Sequence, residues 1–219
     1  LRMTSYDDFD HTAFDDTRYV IVEGEKFAIS TTLLSIYTKY FRTMFAKEQY
    51  KESGESEVTL DTSKIGLTAP GFHEFLRQCY PGKKPVSEHN YQQLAIAASY
   101  FDSSEIAKTV EAFVITRSSP KYWMAEKRNK EKKVFSIHLL EALHMAFVYK
   151  YDKLKEHCEK VILKYRVHTF FKMFPEVVEL PSEVSAFVLK AIAKRVAADQ
   201  QEAVKAATVQ QQRRRPQNP

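Results

Sequence analysis

The sequence predicts an α+β fold: a small β-sheet flanked by helical hairpins, followed by an all-α extension. Three observations carry that prediction. "RYVIVEGEKFAIS" sets a run of β-formers either side of Gly24, and "EVTL" at 57–60 offers one further short strand. Almost every other apolar residue recurs at helical spacing. Only 5 Gly and 8 Pro in 219 residues, with 44% hydrophobic content, suit a helix-rich globular chain.

Taken in order, Val20, Ile21 and Val22 form the first strand of a hairpin, Gly24 supplies its turn, and Phe27 and Ile29 alternate on the return strand. Thr31 or Thr32 then offers an N-cap. Leu33, Tyr37, Tyr40, Phe41 and Met44 follow at helical spacing. Ser35 and Thr38 are poor helix-interior residues and good caps, so two short helices are expected, breaking near Ile36 to Thr38. After the polar loop "KESGES" and the strand "EVTL", "APGFHEFLRQCY" puts Phe72, Phe75, Leu76 and Cys79 on one helix face. Thr68 is its cap and Pro81-Gly82 its stop. A helix pair follows, Tyr91 to Phe101 and Ser104 to about Thr116, with Asp102 and Glu105 spaced as a capping box.

A weak internal echo lies 48 residues further on. Ala98, Phe101, Ile106, Val110, Glu111 and Val114 correspond to Ala146, Tyr149, Leu154, Cys158, Glu159 and Ile162. Both segments read helix, aromatic corner, helix, which suggests stacked helical hairpins. "VHTFFKMF" and an amphipathic helix capped by Ser182 come next. The expected organisation is a lead over 1–13, a first domain over 14–116, a basic linker over 117–135, a helical extension over 136–200, and a disordered basic tail over 201–219.

Several function classes lose support. Residues 121–133 carry six Lys or Arg against two Glu, and Arg213, Arg214 and Arg215 add three more positive charges. These two stretches exceed the chain's net +5, so the folded remainder is slightly negative and a nucleic-acid-binding face is not expected. No apolar run approaches the ~20 residues that span a bilayer, and no signal-peptide pattern opens the chain. Cys79 and Cys158 read as buried free thiols of a reducing compartment, cytoplasm or nucleus. No Gly-rich phosphate loop exists. His138, His144, His157 and His168 match no metal spacing, and His144, between Leu143 and Met145, reads as a core histidine. "YDDFDHTAFDD" lacks the Gly and the closing Glu of a calcium loop. Ser30, Thr31 and Thr32 have no visible base partner. No catalytic residue, cofactor or metal is expected, and the chain reads as a non-enzyme.

"VEGEKFAISTTLLSIYTKYFRTMF" resembles the BTB/POZ domain: a hydrophobic strand, a Glu-Gly turn, a Phe-led strand, a Leu-Leu helix and a Ser-x-Tyr-Phe-x-x-Met-Phe helix. The last part here runs Thr38-Lys39-Tyr40-Phe41-Arg42-Thr43-Met44-Phe45. "EVTL", "GFHEFLRQCYPG" and "LAIAASYF" continue the similarity, which covers about residues 14–116. The helices after 135 resemble the BACK-like extension that often follows such domains. The chain departs from the family pattern at Ser30, where His is usual, and at Thr38, where Ser is usual. The Asp that commonly precedes the first strand falls at Asp16 or is replaced by Thr17. No amphipathic helix precedes Phe14, although a swapped N-terminal helix builds the dimer in many relatives.

The resemblance implies a protein–protein interaction module. One large branch of the family binds the N-terminal region of cullin-3 and brings substrates to a ubiquitin ligase, through a hydrophobic-x-Glu motif after the Met-Phe helix. Tyr50-Lys51-Glu52 stands at that place. An aromatic can fill a partner pocket and a flanking carboxylate can pair at its rim. By the same resemblance, the helical extension would add a second wall to the groove. The alternative is a non-ligase scaffold that uses the fold to oligomerise in transcriptional or cytoskeletal assembly. The partners implied are therefore cullin-3, a substrate protein, and a second copy in a homodimer. Neither a kelch-length repeat nor C2H2 spacing occurs in these residues, so target recognition falls to the helical region or to a part outside them.

Overall fold

The computed structural model describes residues 16–46, 56–121 and 137–214, the side chains of 178 and 209–214 excepted. The chain divides into two compact units, 1–116 and 117–219. Among the described residues are three β-strands and nine α-helices.

In the first unit, β1 (Thr17–Val22) and β2 (Glu25–Ser30) form an antiparallel hairpin. Its two turn residues, Glu23 (φ 50°) and Gly24 (φ 83°), are both left-handed, the combination whose twist matches the flanking strands. β3 (Glu57–Leu60) pairs parallel with β1, Val20 opposite Val58, giving the order β2-β1-β3. A parallel pair cannot be joined by a tight turn, so the connection carries helices. These include α1 (Thr31–Tyr37) and α2 (Lys39–Ala46).

α3 (Ala69–Cys79) buries Phe72, Phe75, Leu76 and Cys79, the face read from the sequence, and is capped by the Thr68 hydroxyl. α4 (Tyr91–Tyr100) and α5 (Ser104–Arg117) complete the unit. Its centre is aromatic. Phe101 contacts Phe41, Phe72 and Phe75 at ring separations of 5.0, 5.7 and 4.9 Å, and Phe27 meets Phe72 edge-on at 5.2 Å. Burying one such ring stabilises the fold by about 1.5–3 kcal/mol. Gly71, in the first turn of α3, has no Cβ to obstruct the Gln93 carboxamide, which ties Thr68 N–H to the Gly66 carbonyl.

In the second unit, α6 (Leu139–Val148) and α7 (Asp152–Leu163) form a hairpin. α8 (Val167–Met173), a 3₁₀ turn (Pro175–Glu179) and α9 (Ser182–Arg214) follow. Val184, Val188, Ala191 and Ile192 of α9 are buried; α9 lies against α7 and α6, with Phe147 and Phe187 edge-on at 5.5 Å. The internal echo is structural. Ser103 N–H bonds the Ala98 carbonyl at 2.8 Å, and Tyr151 N–H bonds the Ala146 carbonyl at 2.9 Å. The corner residues Asp102 (φ 52°) and Lys150 (φ 56°) are both left-handed. Each helix thus ends in the same Schellman-type closure, 48 residues apart.

Some local expectations are corrected. Ser30, not Thr31 or Thr32, caps α1, accepting from Leu33 N–H at 3.2 Å. Asp102 cannot complete a capping box with Glu105, because it occupies the left-handed corner and Ser103 directly precedes α5. His144 is exposed on α6, not part of its core face. Ser182 is the first residue of α9, and the helix continues beyond 200 to Arg214.

Candidate protein-interaction site

Two buried hydroxyls set the geometry of the α1–α2 hairpin. Thr38 lies between the helices, 1% exposed; its hydroxyl donates to the Leu34 carbonyl at 3.0 Å and accepts from Phe41 N–H at 3.2 Å. One side chain therefore closes α1 and opens α2. The Tyr80 hydroxyl, at the end of α3, accepts from Ser30 N–H at 2.6 Å where β2 enters α1. The next free donors of α2, Lys39 N–H and Tyr40 N–H, bond the Asp102 and Phe101 carbonyls at 3.3 and 3.2 Å. The left-handed corner of α4–α5 thereby holds the start of α2. The exposed Lys39–Asp102 ion pair at 3.6 Å adds little.

Asp16 ties down the other end. Its carboxylate accepts from Thr32 N–H at 2.7 Å and from the Ser30 and Thr31 hydroxyls, both at 3.0 Å. Burial raises its pKa, but these hydrogen bonds outweigh burial and bring it down to about 2. Ser30 and Thr31 are thus occupied by structural bonds rather than set out for chemistry.

Between α1 and α2 lies an open groove lined by Thr31, Thr32, Ser35, Ile36, Arg42 and Phe45, with Ala46 at its end. Ile36 is 61% exposed. Arg42 crosses the hairpin, donating from Nε to the Ser35 carbonyl at 2.8 Å and from a terminal nitrogen to the Ile36 carbonyl at 3.2 Å, so it satisfies carbonyls at the end of α1. The Arg18 guanidinium sits over Phe45 at 5.3 Å. The result is an apolar strip with a hydroxyl and guanidinium rim, suited to burying a partner's apolar side chain. Sequence spacing missed it, because the buried face runs through Leu34, Thr38, Phe41 and Met44 rather than from Leu33 through Tyr37 and Tyr40. Leu34, not Leu33, is buried, and Ile36 is left facing outward.

Tyr50, Lys51 and Glu52 lie outside the described residues, between the end of α2 at Ala46 and the start of β3 at Glu57. Burial pushes the Cys79 thiol far above its ordinary value and the Cys158 thiol up to about 12, so neither is a nucleophile. Among the described residues no three His, Cys, Asp or Glu side chains gather as a metal site, and no helix is long and apolar enough to cross a membrane.

The BTB/POZ domain family model matches residues 7–118, about half of the chain. The chain belongs to the BTB/POZ family. Kelch-like protein 24 of Homo sapiens and of Rattus norvegicus is 30% identical to this BTB/POZ protein over 101 residues, 46% of the chain and 16% of the relative. Kelch repeat and BTB domain-containing protein 8 of Danio rerio is 27% identical over 112 residues, 51% of the chain and 18% of the relative. Kelch-like protein 15 of Gallus gallus is 28% identical over 98 residues, 45% and 19%. The matches thus span less than a fifth of each relative.

Proposed function

We propose that this BTB/POZ protein is a protein–protein adaptor that binds the N-terminal region of cullin-3 and presents a substrate protein to the ligase. The observation that carries the reading is the fixation of α2: Thr38, Phe101 and Asp102 hold its start, so the segment leaving its end starts from a rigid platform. Tyr50 and Glu52 in that segment supply an aromatic anchor and a carboxylate for the cullin surface. Membership in the family and the Kelch-like relatives support an adaptor rather than an enzyme.

The test is calorimetric titration of the chain with the cullin-3 N-terminal domain, beside Glu52→Lys. Low-micromolar or tighter binding is expected, weakened at least tenfold by the substitution, about 1.4 kcal/mol. Binding indifferent to the substitution would move the contact elsewhere. An absence of heat from folded protein would remove the ligase reading.

The exposed Ile36 groove favours a second role that can stand with or without the first: pairing of two BTB domains through α1 and α2. In that case the chain is an oligomerisation scaffold.

A further inference from the structure

Asp16 fixes where the preceding chain meets the first unit. Its carboxylate accepts from the Thr31 hydroxyl and from Thr32 N–H, and Thr31 and Thr32 line one end of the α1–α2 groove. Residues 6–15, which lie outside the described residues, therefore lead to the mouth of that groove. Their sequence, "YDDFDHTAFD", holds four Asp, no Lys or Arg, and the rings of Tyr6, Phe9 and Phe14. The groove is the complement. Its lining carries the Arg42 guanidinium and no carboxylate, Arg18 stands over Phe45, and Ile36 and Phe45 supply apolar surface. Length selects the ring. Ile36 lies one helical turn past Thr32, about 6 Å along α1. An extended chain covers about 3.3 Å per residue, so Phe14, two residues before Asp16, reaches about as far. Phe9 lies about 23 Å back along the same chain, beyond the groove.

We propose that residues 10–15 occupy the α1–α2 groove of their own chain, with the Phe14 ring on Ile36 and the Asp10 and Asp15 carboxylates facing Arg42 and Arg18. The tether decides between this segment and a second copy. Joined through Asp16, Phe14 meets the groove at an effective concentration of about millimolar or above, whereas a second chain arrives only at its concentration in solution. The contact is small, one ring and exposed ion pairs that salt screens, so the groove is filled for part of the time. A surface competing for it then binds more weakly in proportion to the fraction left open. The occupancy stands whether or not two BTB domains pair. Its consequence rests on the proposed pairing through this groove, which the segment weakens severalfold without preventing.

The test uses the full chain carrying Ala13→Cys and Ser35→Cys, one on the segment and one on the groove wall; Cys79 and Cys158 are buried and do not compete. Mild oxidation at low-micromolar protein reads the disulfide. The expected link forms within one chain, at a rate independent of protein concentration. It slows at least fivefold on adding Phe14→Ser, and severalfold on adding Asp10→Lys or on raising salt. A rate indifferent to both substitutions belongs to the tether alone and overturns the docking. Links that form only between chains overturn it in favour of a second copy's segment. Light scattering on dilution of the chain with its own cysteines reads the consequence: Phe14→Ser should hold the two-chain mass to severalfold lower concentration. A two-chain mass indifferent to Phe14→Ser overturns the competition. A single-chain mass throughout, with the Phe14-dependent link intact, removes BTB pairing and leaves the occupancy standing.

Discussion

At the scale of the residue, Asp16 and Tyr80 show how much of the hairpin depends on partners distant in sequence. Tyr80 reaches Ser30 across fifty residues, and Asp16 reaches Ser30, Thr31 and Thr32 across about fifteen. The Asp16 carboxylate is held at about 2, below its ordinary 3.8, so the stability it contributes is present above about pH 4 and is lost as pH falls toward 2. Asp16→Asn should therefore melt below the parent at pH 6, with the gap between the two closing as pH approaches 2. Thermal melts across that range check it, and a gap independent of pH would count against the ionised cap. None of these partnerships was legible beforehand. The hydroxyl run "STT" announced a cap, but which hydroxyl caps and which leans on Asp16 depends on where β1 lies beside the start of α1.

At the scale of the element, the joint between α1 and α2 turns on one side chain. Thr38→Val removes the acceptor of Phe41 N–H in a site 1% exposed. A buried donor without a partner costs about 1–3 kcal/mol. Urea unfolding should show that loss for Thr38→Val and a smaller one for Thr38→Ser, which keeps the hydroxyl; equal losses would assign the effect to packing. The two-helix reading was legible because capping chemistry is local, as were the Glu23-Gly24 turn and the Phe72-Phe75-Leu76-Cys79 face. The full run of α9 was not. From Asp199 to Thr208 nearly every side chain is exposed, so no apolar rhythm toward a core marks that stretch as helix.

At the scale of the whole molecule, the open question is how many chains make the working unit. Ile36→Asp places a carboxylate in the exposed groove without touching the buried core, and should halve the mass seen by light scattering while leaving the melting temperature within a few degrees. An unchanged mass would place the pairing surface away from α1. The strand order β2-β1-β3 also bears on how the chain acquires its shape in time. Val20 can pair with Val58 only after the intervening chain has been gathered in, whereas α6–α7 and the adjoining helices assemble from neighbours in sequence. Non-local pairing is slow and local pairing is fast. During synthesis the hairpin leaves the ribosome before β3, so β1 keeps an unpaired edge until Glu57–Leu60 emerges, and that interval is when the first unit is most open to mispairing.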